Sequence, residues 1–360
     1  MKKILVIVSW LLMTSLYAND TTLVWVNAET LTRYGQADDE ALVGYSRIPD
    51  SLGEAIRPEL AKLGKHSSGI IIAFETSSPN ISVRWKVLFG THMPHMALTG
   101  IQGVDLYAVD VPHKAWNYVG TAKWWDLDTT WHTSVLLENG EKLLRTYALF
   151  LPLYDGIDSL FIGVPETYAV SKTELFHPQP LPIIMYGTSI TQGGCASRPG
   201  MAYPAILSRQ LHQEVLNFGF SGNGRLDLEM ADYLATLPAS LLVIDALPNV
   251  DPEESEQKLL DFIYRFRASS SAPILVVPSI RYSHADDNLE IGNAHKKKDE
   301  AYLNVQKVCK AEKIEKITFI PLNDICFLDD DGTVDGVHLT DLGMERHADA
   351  LYPWIKKSVK

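Results

Sequence analysis

Residues 183–194 read IIMYGTSITQGG. An apolar run that stops at Gly187-Thr188-Ser189 and passes into a polar, helix-compatible stretch is a strand handing over to a helix, and the glycine permits the tight turn between them. The same rhythm continues to the C-terminus. EVLNFGF (214–220), LLVIDAL (241–247), PILVVPS (273–279) and ITFIPL (317–322) read as further buried strands. Helical stretches fall around 203–211, 226–237, 253–267 and 294–312, and a terminal helix over 341–359 is capped by Thr340. Asp251-Pro252-Glu253-Glu254 has the form of a helix start. Apolar strands spaced by amphipathic helices predict a parallel sheet covered on both faces. Right-handed crossovers then put the strand C-termini on one edge, where ligands bind in open α/β sheets.

Upstream, from Thr21 to about Pro180, the chain is instead a series of short strand-like runs: TTLVWVN, ALVGYSRI, GIIIAFET, ISVRWKVLF, GVDLYAVD, HTSVLLE, KLLRTYALFL and SLFIGV. Turn residues separate them, Asp155-Gly156 among these, and the pattern is that of an all-β sandwich. The expected organisation is a β-domain over 19–178 and an α/β domain over 179–360. Before them, Lys2-Lys3, the apolar run Ile4 to Tyr17 and then Ala18 read as a secretory signal over 1–18. The run falls short of the roughly 20 apolar residues of a membrane span. The expectation is a protein exported to the periplasm or exterior, with no stable membrane insertion after cleavage.

At 360 residues and 46% hydrophobic content the chain can bury two cores. A formal net charge of -12 argues against a nucleic-acid partner. Cys195, Cys309 and Cys326 are too few for a disulfide framework or a zinc site; Cys309 and Cys326 could pair, or all could be buried thiols.

Four segments adjoin predicted strand ends and carry groups able to do chemistry. Ser189 is either a helix N-cap or a nucleophile. The glycines of NFGFSGNG (217–224) either make an ordinary turn or let a backbone N–H approach a reacting oxygen. Asn249, after LLVIDALP, is a turn asparagine or an amide donor to an oxyanion. Asp335 and His338 share one loop, so the carboxylate can receive the imidazole Nδ1–H while the other nitrogen faces a serine; Asp329, Asp330 and Asp331 also make this simply an acidic surface loop. Other residues fit bystander roles better. His92 and His95 lie on a predicted loop without a clear acidic or thiol partner, which favours loop or interdomain contacts over a metal site. Trp116, Trp124, Trp125 and Trp131 either fill the sandwich core or stack on sugars, the core being favoured. Arg198 is a substrate or interdomain contact, and Ser279 and His347 have no evident orienting group.

Taken in order, the segments resemble the blocks of the SGNH, or GDSL-type, esterase and lipase superfamily: GTSIT (187–191), FSGNG (220–224), LPN (247–249) and DGVH (335–338). GVDLY (103–107) is similar to bacterial secreted members that carry a GxDLY β-domain ahead of the hydrolase. The resemblance implies a flavodoxin-like α/β/α hydrolase domain preceded by a jelly-roll-like sandwich, with no metal or cofactor. It implies Ser189 as nucleophile, His338 as base, Asp335 as its orienting group, and an oxyanion hole from the N–H groups of Ser189 and Gly222 and the Asn249 amide. Thr188 departs from the family's usual aspartate, and the third block lacks its usual glycine and aspartate. The expected activity is hydrolysis of short acyl esters, O-acetyl groups on carbohydrate above all. The alternatives are a lipase or thioesterase acting on longer chains, and a non-catalytic carbohydrate-binding protein on the same scaffold. With a histidine base, activity should fall as pH drops through the ordinary imidazole range, near about 6.5.

Overall fold

A computed structural model describes residues 22–126, 129–176, 180–325 and 331–359. The expected leader over 1–18, the boundary at 178–179, Cys326, Asp329 and Asp330 lie outside them. Among the described residues, no helix is long and apolar enough to cross a membrane.

The first half is a β-sandwich of strands β1 (Leu23–Asn27), β2 (Thr32–Tyr34), β3 (Ile71–Thr76), β4 (Ile81–Val87), β5 (Asp105–Asp110), β6 (Ala115–Thr121), β7 (Trp131–Leu137), β8 (Arg145–Phe150), β9 (Ile157–Pro165) and β10 (Ser171–Lys172). One antiparallel sheet runs β1-β9-β4-β7, the other β10-β3-β8-β5-β6 with β2 beside β3. Successive strands cross between the sheets, β3 to β4 and β7 to β8 to β9, as in a jelly roll. In β7 exposed and buried residues alternate along the strand, because one face meets the core and the other water. The inner core holds Phe74, Val83, Trp85, Leu106, Leu149 and Ile162.

Seven of the eight expected runs contain strands; ALVGYSRI does not. Its apolar residues are those of an irregular segment: Gly44 takes a left-handed φ of +56° and the Arg47 side chain is buried. A buried guanidinium needs several acceptors, and it finds them outside any ladder. The reading of the tryptophans also divides. Trp124 packs edge-on against Trp85 at 5.4 Å, in the core, whereas Trp116 sits against Phe150, Phe176 and His212 towards the second domain. Trp125 and Trp131 are exposed.

The second half is a parallel sheet of β11 (Ile183–Gly187), β12 (Val215–Gly219), β13 (Leu241–Asp245), β14 (Ile274–Val276) and β15 (Ile317–Phe319), ordered β12-β11-β13-β14-β15. That is the 2-1-3-4-5 order of flavodoxin-like folds. Period-two alternation sends Ile184 and Tyr186 to one face, under helices Leu228–Thr236, Ser255–Ser269 and Leu289–Ala311, and Ile183 and Met185 to the other, under Tyr203–Leu211 and Asp341–Ser358. Helix Ser255–Ser269 starts two residues later than expected, since Asp251 accepts from Glu253 N in a preceding turn and the N-cap position falls on Glu254. Helix Leu289–Ala311 starts five residues earlier than the expected 294, capped by Asn288.

The two domains pack through the outer face of the β3-β8-β5 sheet, where Tyr107, Phe150 and Phe176 join Ala205 of the hydrolase half in one apolar cluster. Polar groups fix the register between the domains. Arg47, fully buried, donates to the carbonyls of Leu63 and His66 in its own domain and of Asn217 and Gly219 at the end of β12.

Candidate active site

Strand β11 ends at Gly187, where a Cβ would come within 2.0 Å of Thr191 Oγ1 and 2.6 Å of the Asp245 carbonyl; glycine alone fits. The next residue, Thr188, is the N-cap of the short helix Ser189–Gln192 and accepts from Ile190 N at 3.3 Å. Capping therefore falls to Thr188, and the Ser189 hydroxyl is left to bond elsewhere. Thr188 does here what an aspartate would do, since both are preferred N-caps.

The Ser189 Oγ lies 3.0 Å from His338 Nε2, and His338 Nδ1 lies 2.8 Å from Asp335 Oδ2. Asp335 Oδ1 also accepts from the backbone N–H of His338 at 2.8 Å and of Val337 at 3.0 Å. Partial burial pushes the Asp335 carboxyl up, but the hydrogen bonds from His338 and Val337 outweigh it and hold it down to about 2. A carboxylate accepting at Nδ1 keeps the proton there, so the Nε2 lone pair faces the serine hydroxyl. The loop itself is tied by a Thr333–Leu339 bridge and by Ser283 N donating to the Gly336 carbonyl.

Gly222 has a φ of +64°, and the turn around it is pinned by Ser221 N donating to Gln192 Oε1 at 2.9 Å and Asn223 N donating to the Phe220 carbonyl. Against this turn lies Asn249, at the end of a 3-10 turn over Leu247–Asn249. Its amide is satisfied with Oδ1 turned towards the N–H groups of Gly222 and Asn223, accepting from each at 3.3 Å. Asn249 is thereby tied to the Gly222 turn, with its amide beside the glycine expected to donate to an oxyanion.

Arg198 takes one of its two expected roles, and two other placements differ from the expectations. The Arg198 guanidinium makes the interdomain contact: it ion-pairs with the fully buried Asp105 and donates to Tyr107 Oη at 2.6 Å, across the domain boundary. The Asp and Tyr of GVDLY are thus its interdomain partners. His95 does have a thiol neighbour, since its ring lies 5.6 Å from that of His338 with Cys195 alongside. His347 has an acidic partner, Asp245 at 3.4 Å, and the pair is buried with Tyr203 and Thr191. Ser279 lines a separate cleft with Arg281 and His295.

Sequence reasoning missed the supports of this site. Gln192 bridges Ser221, the Leu153 carbonyl and His66; Arg57 reaches Asn223 and, at 3.0 Å, Asp227. Arg47 grips the β12 carbonyls just ahead of the Gly222 turn. The signal for Arg47 was a lone charge between apolar residues at 41–49, which says nothing of where the charge goes.

The sequence model of the GDSL-like lipase/acylhydrolase family matches residues 181–356, and that of the GxDLY N-terminus of SGNH-hydrolase-type esterases matches 23–170. A solved Bacteroides ovatus protein described as a GDSL-like lipase is 32% identical over 94% of this chain and 98% of its own, with a TM-score of 0.86. The chain belongs to the GDSL-like lipase/acylhydrolase family. This GDSL-like hydrolase is accordingly a carboxylic ester hydrolase. Its fold is also similar to a salicylyl-acyltransferase from a tetracycline biosynthetic pathway (TM-score 0.68, 15% identity, 93% of this chain and 97% of the other). A family two carbohydrate esterase from Clostridium thermocellum, solved with cellohexaose, is similar at a TM-score of 0.56 (15% identity, 81% and 93% coverage). No curated protein matches the chain.

Proposed function

We propose that this hydrolase is an exported serine esterase that removes short acyl groups, O-acetyl above all, from carbohydrate. The observation that carries the mechanism is the continuous line of hydrogen bonds from Ser189 Oγ through the imidazole of His338 to Asp335. Ser189 attacks the ester carbonyl as His338 Nε2 takes its proton; Asp335 stabilises the resulting imidazolium; His338 returns the proton to the leaving alcohol, and water repeats the sequence to free the acid. The N–H groups of Ser189 and Gly222, with Nδ2 of Asn249, hold the oxyanion.

Support for a carbohydrate ester comes from the shared architecture with carbohydrate esterases, which is likeness of fold, and from the leader-like N-terminus. The deciding experiment measures acetate released from acetylated polysaccharides and oligosaccharides by wild type and Ser189→Ala, with a long-chain ester alongside. Acetate release by wild type alone is the expected result. Turnover of only the long-chain ester moves the protein to the lipases, and a folded Ser189→Ala retaining near wild-type rate removes Ser189 as nucleophile.

A further inference from the structure

Among the described residues, side chains able to ligate a metal gather at one place: His95, Cys195 and His338, whose ligand atoms all lie within 4.8 Å of one another. They come from three separate parts of the chain. His95 is an exposed residue on the loop that the β-domain extends over the active site, Cys195 follows the nucleophile's helix, and His338 is on the loop before the terminal helix. We propose that this cluster is a zinc-type inhibitory site, at which a thiophilic divalent cation binds one thiolate and two imidazoles and takes His338 out of catalysis. The inhibitory consequence rests on the proposed role of His338; the binding itself does not.

Several features favour a d10 cation with mixed nitrogen and sulfur ligands. His338 is already prepared as a ligand: Asp335 holds its Nδ1–H at 2.8 Å, leaving a lone pair on Nε2, and a carboxylate behind a ligating imidazole is the usual way such a ligand is oriented. Cys195 is buried, and its backbone is in the left-handed region at a φ of +37°, which few non-glycine residues adopt. The loop carrying His95 is anchored at its base, where Asp155 accepts from Phe89 N and Thr91 N and Gln102 donates to the Thr91 carbonyl. Bond lengths of about 2.0–2.3 Å place tetrahedral ligand atoms roughly 3.5 Å apart. The exposed His95 ring supplies that travel by side-chain rotation. On binding, the Cys195 thiol loses its proton to solvent, the metal–sulfur bond forms, and the Nε2 lone pair that would accept the Ser189 proton is donated to the metal. Ser189 Oγ, 3.0 Å from Nε2, or water completes the fourth position.

The test uses the full chain with zinc chloride and, separately, cobalt chloride as probes. Esterase activity should fall with zinc and return with a chelator. Cys195→Ser and His95→Ala should keep their metal-free activity and lose zinc sensitivity by about tenfold or more, since even outer partners of a metal ligand are worth about 10–100-fold in affinity. Cobalt should give a thiolate-to-metal charge-transfer band in wild type and none in Cys195→Ser. Equal zinc inhibition of wild type and both variants, or no charge-transfer band with wild type, overturns the proposal. A wild type that forms the band yet hydrolyses no ester supports the metal site while removing the acyl-transfer reading.

Discussion

At position 188 a single threonine decides what the next residue can do. Because Thr188 takes the N-cap, Ser189 is spared that role and its hydroxyl meets His338. Thr188→Asp should therefore preserve stability and activity, and Thr188→Ala should cost about 1 kcal/mol of stability, read as a shift in the urea midpoint. Asp335 bears on the tautomer of His338 in the same local way. Asp335→Asn keeps the shape but reverses the proton arrangement at Nδ1, and kcat for an acetyl ester should drop by about 10⁴. Loss of the amide in Asn249→Ala should lower kcat by about 10²–10³ with little change in KM, because an oxyanion donor acts in the transition state. An unchanged kcat would remove Asn249 as an oxyanion donor.

Among the elements, the strand carrying GVDLY and the turn carrying Arg198 are joined by an ion pair that neither element could hold by itself. Asp105 is fully buried; burial pushes its carboxyl up, and Arg198 and the Gly200 N–H pull it back. Arg198→Ala leaves that carboxylate without its cation and should destabilise the protein by about 3–5 kcal/mol in chemical denaturation, with catalysis in the folded fraction retained. The double variant Asp105→Asn/Arg198→Met should recover much of the loss, because no unpaired charge remains. A loss of activity in folded Arg198→Ala with no loss of stability would return Arg198 to the substrate side. Strands with continuous apolar runs, such as β11 and β13, were legible in the sequence because burial on both faces leaves no other composition. ALVGYSRI was not, since apolar residues packed around a buried arginine look the same as a strand when only the pattern is seen.

Across the whole molecule, the β-domain supports the hydrolase as well as preceding it. Arg47, Arg57 and His66 all reach the second domain's turns, directly or through Gln192. His66 accepts from Gln192 through Nδ1, and burial together with the nearby Arg47 and Lys62 holds its pKa down to about 3. Burial also lowers His132 and His295 to about 4. In all three the folded state keeps the imidazole neutral while the unfolded chain takes up a proton near pH 6.5. The unfolded state thus binds more protons below that value, and stability should fall as pH drops from about 6.5 towards 4. For His66 alone the slope reaches about 1.4 kcal/mol per pH unit. A melting temperature that is flat between pH 7 and pH 4.5 would contradict this, and His66→Gln should flatten the curve if His66 carries it.

What the sequence determined by itself was local or periodic: the change from short strands to alternating strands and helices, and the order of the Ser, Gly, Asn and His segments, of which the first three follow strand ends that parallel topology puts on one edge. Asp335 and His338 were readable together because they are three residues apart. The tertiary structure alone decided which long-range partners each side chain finds. Arg198 could have faced substrate until Asp105, ninety-three residues away, was seen to claim it. His95 had no thiol partner within reach of its own segment, and the fold laid its loop beside Cys195. Pattern encodes which face is buried, but a polar group's partner is set by the packing of whole domains, and no spacing along the chain records that.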